Sequence, residues 1–322
     1  DNTVPDIEGV VSKDISQNQD GTVMLWYTPK QVTTGSTTKT MYDMWIGGEN
    51  GVLQTGTNAS GMFAYLTNIE KLDLSKLDTS YITNMSRMFY MSSGLKSIDL
   101  SNFNTSKVTS MGHMFDGCTN LISLNLNSFN TSKVSDFNQM FQNCSKLTNI
   151  NLSSFDTSNA QNMQSMFYNC KSLLNLDLSS FNTSKVTLMN NMFSGCSSLK
   201  SLDLSNFNTS KVVNMYGMFL GLSSLTSINL SSFDTSSVTS MGHMFDGISN
   251  LTTLDITNFN TSNVTQMHSM FSDCNSLKSL DLSNFNTSKV TRMDNMFIKC
   301  ASLTELNLSS FITSNVTNMT SM

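Results

Sequence analysis

Apolar residues recur along this chain with a period of 26, far longer than the period of a helix or a strand. One phenylalanine column runs Phe103, Phe129, Phe155, Phe181, Phe207, Phe233, Phe259, Phe285 and Phe311, with Leu77 opening the series, and a second runs from Phe63 through Phe89 and Phe115 to Phe297. Together they hold nineteen of the twenty phenylalanines; the twentieth, Phe137, takes a methionine's place in a third column. The columns containing Met111 and Met114 hold twenty of the 24 methionines. Thioethers are soft enough to make an adaptable binding surface, but their register with the phenylalanines assigns them to the core. Self-similarity at this period predicts a stack of coils sharing one continuous core.

One coil, from Leu95, reads LKSIDLSNFNTSKVTSMGHMFDGCTN. Leu95, Ile98 and Leu100 have the L-x-x-L-x-L spacing of a leucine-rich repeat, which predicts a short strand with Ile98 and Leu100 inward and Ser97, Asp99 and Ser101 outward. Met111, Met114, Phe115 and Cys118 stand at i, i+3, i+4 and i+7, which predicts one face of a short helix, with Thr109 as its N-cap. Between them the Thr-Ser pair recurs in all ten coils, from Thr79 and Ser80 to Thr313 and Ser314. Such short polar side chains bond nearby backbone and form tight corners. Triplets such as Asn104 to Ser106 also read as glycosylation acceptors, a reading weakened because the repeat itself dictates their spacing.

The expected class is therefore α/β: a leucine-rich-repeat-type solenoid with one parallel β-sheet face, short helices on the other, and an N-terminal cap. Residues 1–60 break the pattern with Trp26, Tyr27, Tyr42, Trp45, Gly47, Gly48 and Gly51 amid strand-like runs such as Thr22 to Tyr27. They read as the cap that shields an exposed end coil. Residues 61–322 read as about ten 26-residue coils, truncated at the C-terminal end because Met322 falls partway through a repeat.

Composition narrows the function classes. The chain has 322 residues, a formal net charge of −5, 13% charged and 39% hydrophobic residues. No Lys/Arg run supplies the basic patch that nucleic acid or an anionic membrane needs. No window of eighteen apolar residues exists, and Asp1 to Pro5 lacks the regions of a signal peptide. The segment reads as soluble and monomeric, an excised piece whose export signal and anchor lie outside it.

Candidate chemistry is sparse. The six cysteines, Cys118, Cys144, Cys170, Cys196, Cys274 and Cys300, occupy one column. Neighbouring coils set them about 4.8 Å apart, a span a disulfide can bridge. Their inward position beside Phe and Met favours buried free thiols instead, and one column cannot make a zinc tetrahedron. His113 and His243 share a column roughly 24 Å apart and His268 lies elsewhere, so no shared metal and no Ser/His/Asp group is built. The histidines are expected to face solvent from the helix. No enzyme, cofactor or metal is expected.

One outward column is Asp73, Asp99, Asn125, Asn151, Asp177, Asp203, Asn229, Asp255, Asp281 and Asn307. Stacked carboxylates about 4.8 Å apart repel unless screened. The column reads as a solvated ladder in which Asn relieves the repulsion, with calcium between Asp177 and Asp203, or Asp255 and Asp281, as the alternative. Positions between the two methionines, such as Gly112 and His113 or Tyr216 and Gly217, change freely, which marks the outer helix as exposed and unconstrained by stacking. The strand face is nearly uniform Ser, Thr, Asn and Asp without an aromatic platform, so it suits a broad or repetitive ligand better than a small molecule.

The string LSNFNTSKVTSMGHMFDGCTNLISLNL and its echoes over residues 61–322 resemble the BspA-like bacterial surface leucine-rich repeats, in the subtype of mycoplasma lipoproteins and of surface proteins of lactobacilli and related Gram-positives. The pattern F-N-T-S-x-V-x-x-M-x-x-M-F-x-x-C is long and specific; the chain departs from it at Leu222 and Ile248, which take the Cys place, and at Phe137, all apolar. The resemblance implies an exported, cell-surface protein that binds a host or extracellular-matrix protein or glycoprotein, and carries no catalytic residues. The expected function is an extracellular adhesion or recognition module, with Asp177, Asp203, Asp255 and Asp281 at the contact face. Two alternatives stand beside it: a passive stalk, and ice or ordered-surface binding by the threonine column from Thr105 to Thr287.

Overall fold

The structure, a computed structural model, describes residues 11–14, 23–48, 53–54 and 56–322; the expectations placed on Asp1 to Pro5, Thr22 and Gly51 lie outside them. Strands β1 (Val11–Asp14), β2 (Val23–Thr34) and β3 (Thr37–Gly48) pair antiparallel in that order. The β2–β3 hairpin closes through Gly35 and Ser36, with Thr34 opposite Thr37, and Gly35 supplies the positive φ (63°) that such a two-residue turn requires. Strand β4 is Leu53–Gln54. Strand β3 then runs parallel to β5 (Ile69–Asp73), which joins the hairpin to the first coil. The same coil continues into β6 (Leu77–Asp78), which pairs parallel with β4.

Beyond β6 the stack advances by 26 residues per coil in parallel register. Strands β7 (Ser123–Asn125) and β8 (Asn149–Asn151) pair, as do β9 (Ser201–Asp203) and β10 (Ser227–Asn229), and β11 (Ser279–Leu280) and β12 (Glu305–Leu306). Leu124 and Leu202 point inward, and the flanking Ser and Asp/Asn face water, as the alternation predicts. The expected single sheet is instead a series of two-stranded pieces. The strands are only two or three residues long because the Asp or Asn at or just past their ends accepts the N–H two residues on, as Asp203 does from Ser205 at 3.0 Å, and turns the chain away. The unbroken parallel ladder runs elsewhere, through Asn58, Asn84, Ser110, Asp136, Asn162, Leu188, Asn214, Ser240, Gln266, Arg292 and Asn318.

The short helices are absent among the described residues, which corrects the α/β expectation. Met111, Met114, Phe115 and Cys118 all face the core, so the periodicity located the buried face correctly. The backbone satisfies itself differently. The N–H groups of Met111, His113, Phe115 and Gly117 donate one coil ahead, to the carbonyls of Asp136, Asn138, Met140 and Gln142, at 2.8 to 3.1 Å. Those of Met114, Asp116 and Cys118 close turns onto the carbonyls three residues back. Two left-handed residues per coil, here His113 (φ 57°) and Gly117 (φ 77°), break any helical run. A non-glycine residue there costs roughly 1–2 kcal/mol, which the rung to the next coil offsets. Thr109 is not an N-cap either, since its N–H and its hydroxyl both donate to the carbonyl of Thr83, at 2.8 and 3.2 Å.

Side chains stack as the backbone does. The Phe63 to Phe297 column forms a file of near-parallel rings, 5.4 Å apart between Phe89 and Phe115 and 6.0 Å between Phe193 and Phe219. Phe137, Leu222 and Ile248 are buried, so the three departures from the repeat leave the core filled. All six cysteines are unpaired, five buried and Cys300 half-buried. The Cys118 thiol donates to the Phe89 carbonyl at 3.1 Å, and burial pushes its pKa up to about 12.

Candidate functional site

Asp177, Asp203, Asp255 and Asp281 are exposed, one per coil in a common column. Each accepts the backbone N–H two residues ahead: Asp177 from Ser179 at 2.9 Å, Asp203 from Ser205 at 3.0 Å, Asp255 from Thr257 at 3.1 Å and Asp281 from Ser283 at 2.9 Å. Asn125, Asn151, Asn229 and Asn307 make the same bond at 3.0 to 3.2 Å. The Asp/Asn alternation therefore varies charge at constant geometry. The backbone N–H of Ser179, Ser205 and Ser283, with their hydroxyls, hold Asp177, Asp203 and Asp281 below the usual carboxylate range; at Asp255 the Thr257 hydroxyl leads and its N–H follows. Asp255 lines a recess of about 330 Å³ with Asn229, Ser231 and Asn258.

The threonine column does not face an ordered surface. Thr105, Thr131, Thr157, Thr183, Thr209, Thr235, Thr261 and Thr287 are at most 1% exposed, which overturns the ice-binding alternative. Their hydroxyls are spent on the next coil, where Thr105 donates to the Asn130 carbonyl at 3.0 Å and accepts the Asn130 N–H at 2.7 Å.

The outer turns are also less free than expected. Ser86 and Ser110 share a hydroxyl contact at 2.7 Å across coils, and Arg292 grips Asp294 through two nitrogens at 2.9 and 3.0 Å. Gly112 and Gly242 lie directly against the Asn138 and His268 side chains of the next coil, which a Cβ at either glycine would push aside. Gly112, Ser165, Gly217 and Asp294 are buried, so these turns are not the freely exposed face expected of them.

The histidines are half-buried in the same network, which corrects their expected solvent-facing placement. His113 Nδ1 meets Asp116 Oδ2 at 3.0 Å, and His243 Nδ1 meets Asp246 Oδ2 at 2.8 Å. His243 and His268 come within 5.0 Å edge to face, with Tyr216 at 5.4 and 5.9 Å from the two rings. Sequence reasoning compared residues 26 apart and missed this diagonal, in which a residue meets the one 25 ahead. Burial, then Arg292, then His243 lower the His268 pKa, and its Nδ1 lies buried without a partner. Among the described residues no three His, Cys, Asp or Glu side chains gather as a metal site would require.

The family described as "Mycoplasma protein of unknown function, DUF285" matches residues 57–175, 148–250 and 223–322. No curated protein matches the chain. A solved structure described as "Crystal structure of TLR13-ssRNA13 complex" is similar at 16% identity, over 75% of this chain and 52% of that one, with a TM-score of 0.16. This chain thus spans about half the length of that one. A likeness at that score carries no argument.

Proposed function

We propose, on the premise that the chain belongs to the DUF285 family, that it is the extracellular recognition module of a bacterial surface repeat protein. In this reading it is a leucine-rich-repeat-type solenoid of the BspA-like kind, monomeric, held at the cell surface by an anchor outside this segment. It binds a host or matrix protein or glycoprotein, has no catalytic role, and contacts neither nucleic acid nor membrane. The observation that carries the reading is the outward row of Asp and Asn side chains, one per coil, each fixed in place by the backbone N–H two residues ahead. A row already ordered before binding loses little side-chain entropy on contact. An extended partner then gains many weak contacts in register, with the carboxylates at Asp177, Asp203, Asp255 and Asp281 selecting for positive charge.

Binding of the chain to an array of mucin, fibronectin, collagen and glycans is the test. The quadruple change of these aspartates to Asn is expected to weaken binding to the captured partner at least tenfold and to flatten its salt dependence, whereas Arg87→Gln with Lys299→Gln on the outer turns leaves it unchanged. The second reading is a passive stalk, favoured by the uniformity of the rungs. A wild-type chain that captures nothing from the array supports the stalk.

A further inference from the structure

The tip of the β2–β3 hairpin does not close flush against the coils, and a cleft of about 610 Å³ separates them. Thr37 and Lys39 line it from the hairpin, and Lys96 and Lys146 from the coils. Its one lining carboxylate is Glu70, whose Oε1 meets Lys96 Nζ at 2.7 Å and whose Oε2 meets Lys30 Nζ at 2.8 Å, so both oxygens are spent on amines. Lys146 Nζ donates to a neutral acceptor, Asn120 Oδ1, at 2.8 Å. Lys39, Lys96 and Lys146 against Glu70 alone (three minus one) leave the lining with a net charge of +2 in a chain of net charge −5. Among the lining residues Thr67, Ser93 and Thr119 recur one per coil, a row roughly 10 Å long at two strand spacings.

Amines and a row of hydroxyl-bearing residues match a ligand that is itself anionic and hydroxyl-rich. Val32 is the one large apolar side chain in the lining, so no wall is built for an aromatic base or an acyl chain. We propose that this cleft binds an anionic saccharide, with its sulfate or carboxylate groups on Lys39, Lys96 and Lys146 and its hydroxyls on the Thr67, Ser93 and Thr119 row. The site lies on the hairpin side of the coils and does not depend on the aspartate row.

Calorimetric titration of the full chain at low salt tests this with three probes: a heparin octasaccharide (sulfate-rich), a hyaluronan octasaccharide (carboxylate only) and uncharged maltooctaose. An anionic probe is expected to bind and maltooctaose not, with affinity falling as salt rises; whichever of the first two binds more tightly names the anionic group. Lys39→Gln with Lys146→Gln is expected to lower affinity at least tenfold. The control is Lys185→Gln with Lys289→Gln, two exposed lysines whose amines likewise donate to asparagines, Asn159 and Asn263. The control pair and the quadruple aspartate variant are both expected to bind as wild type. Failure of both anionic probes to bind, equal binding of maltooctaose, or an equal loss in the control pair or the aspartate variant overturns the proposal.

Discussion

The hydroxyl of Thr183 holds Asn208, one coil ahead, by both backbone groups: it donates to the carbonyl at 2.9 Å and accepts the N–H at 2.8 Å. A side chain thereby stands where a strand partner would, and it is fully inside the stack. Thr183→Val keeps the shape and removes both bonds. The expected loss is about 1–3 kcal/mol, the cost of leaving backbone groups unpaired in a partly buried place. Urea unfolding of the Val and Ser variants measures it; Ser retains the hydroxyl and should recover most of the loss, and a Val variant as stable as wild type would refute the role of the clamp.

Phe193 has no exposed surface and lies between Phe167 and Phe219, at 5.9 and 6.0 Å. Phe193→Ala is expected to cost about 3–5 kcal/mol, the usual range for a buried aromatic truncation. A loss below about 1 kcal/mol in denaturant unfolding would mean that the ring file does not hold the coils together.

The cysteines give a redox and exposure test. Burial keeps the Cys118 thiol protonated at neutral pH, with a pKa of about 12, and thiolate is the reactive form. In the native protein the half-buried Cys300 is expected to react first with a thiol reagent and the buried five only on unfolding. Six thiols should titrate in denaturant without reductant. Two or fewer would indicate disulfides.

Acid should unfold the chain partly through the aspartates of the outward column, Asp177, Asp203, Asp255 and Asp281. Their folded pKa values lie below the ordinary carboxylate value, chiefly through the backbone N–H two residues ahead, or the Thr257 hydroxyl at Asp255. A depressed folded pKa means that the unfolded chain takes up the proton first, so this stability is full above the unfolded value and is lost as pH falls through the folded one. Melting temperature against pH should therefore drop more steeply in acid for wild type than for the quadruple Asn variant, which keeps the same turn bond without a titrating group. Parallel curves would show that these carboxylates contribute nothing through the turn.

The same column shows how far a sequence can be read. Outward exposure of Asp177, Asp203, Asp255 and Asp281 followed from strand alternation, but their engagement by their own backbone did not. Nothing in the residue pattern separates an aspartate free to meet a ligand from one already closing a turn.

The sequence by itself determined the 26-residue period, the two phenylalanine files and the inward methionine and cysteine columns, because burial depends on side-chain chemistry that every coil repeats. Tertiary structure alone decided where the backbone bonds go. A face at i, i+3, i+4 and i+7 is buried equally well by a helix and by a run of turns, and only the neighbouring coil, offering carbonyls to Met111, His113, Phe115 and Gly117, selects the turns. The neighbour also hid the threonines, brought His243 to His268 and opened the lysine-lined cleft beside the hairpin. Each of these is a contact between coils or with the hairpin, and a pattern read one coil at a time contains no record of it.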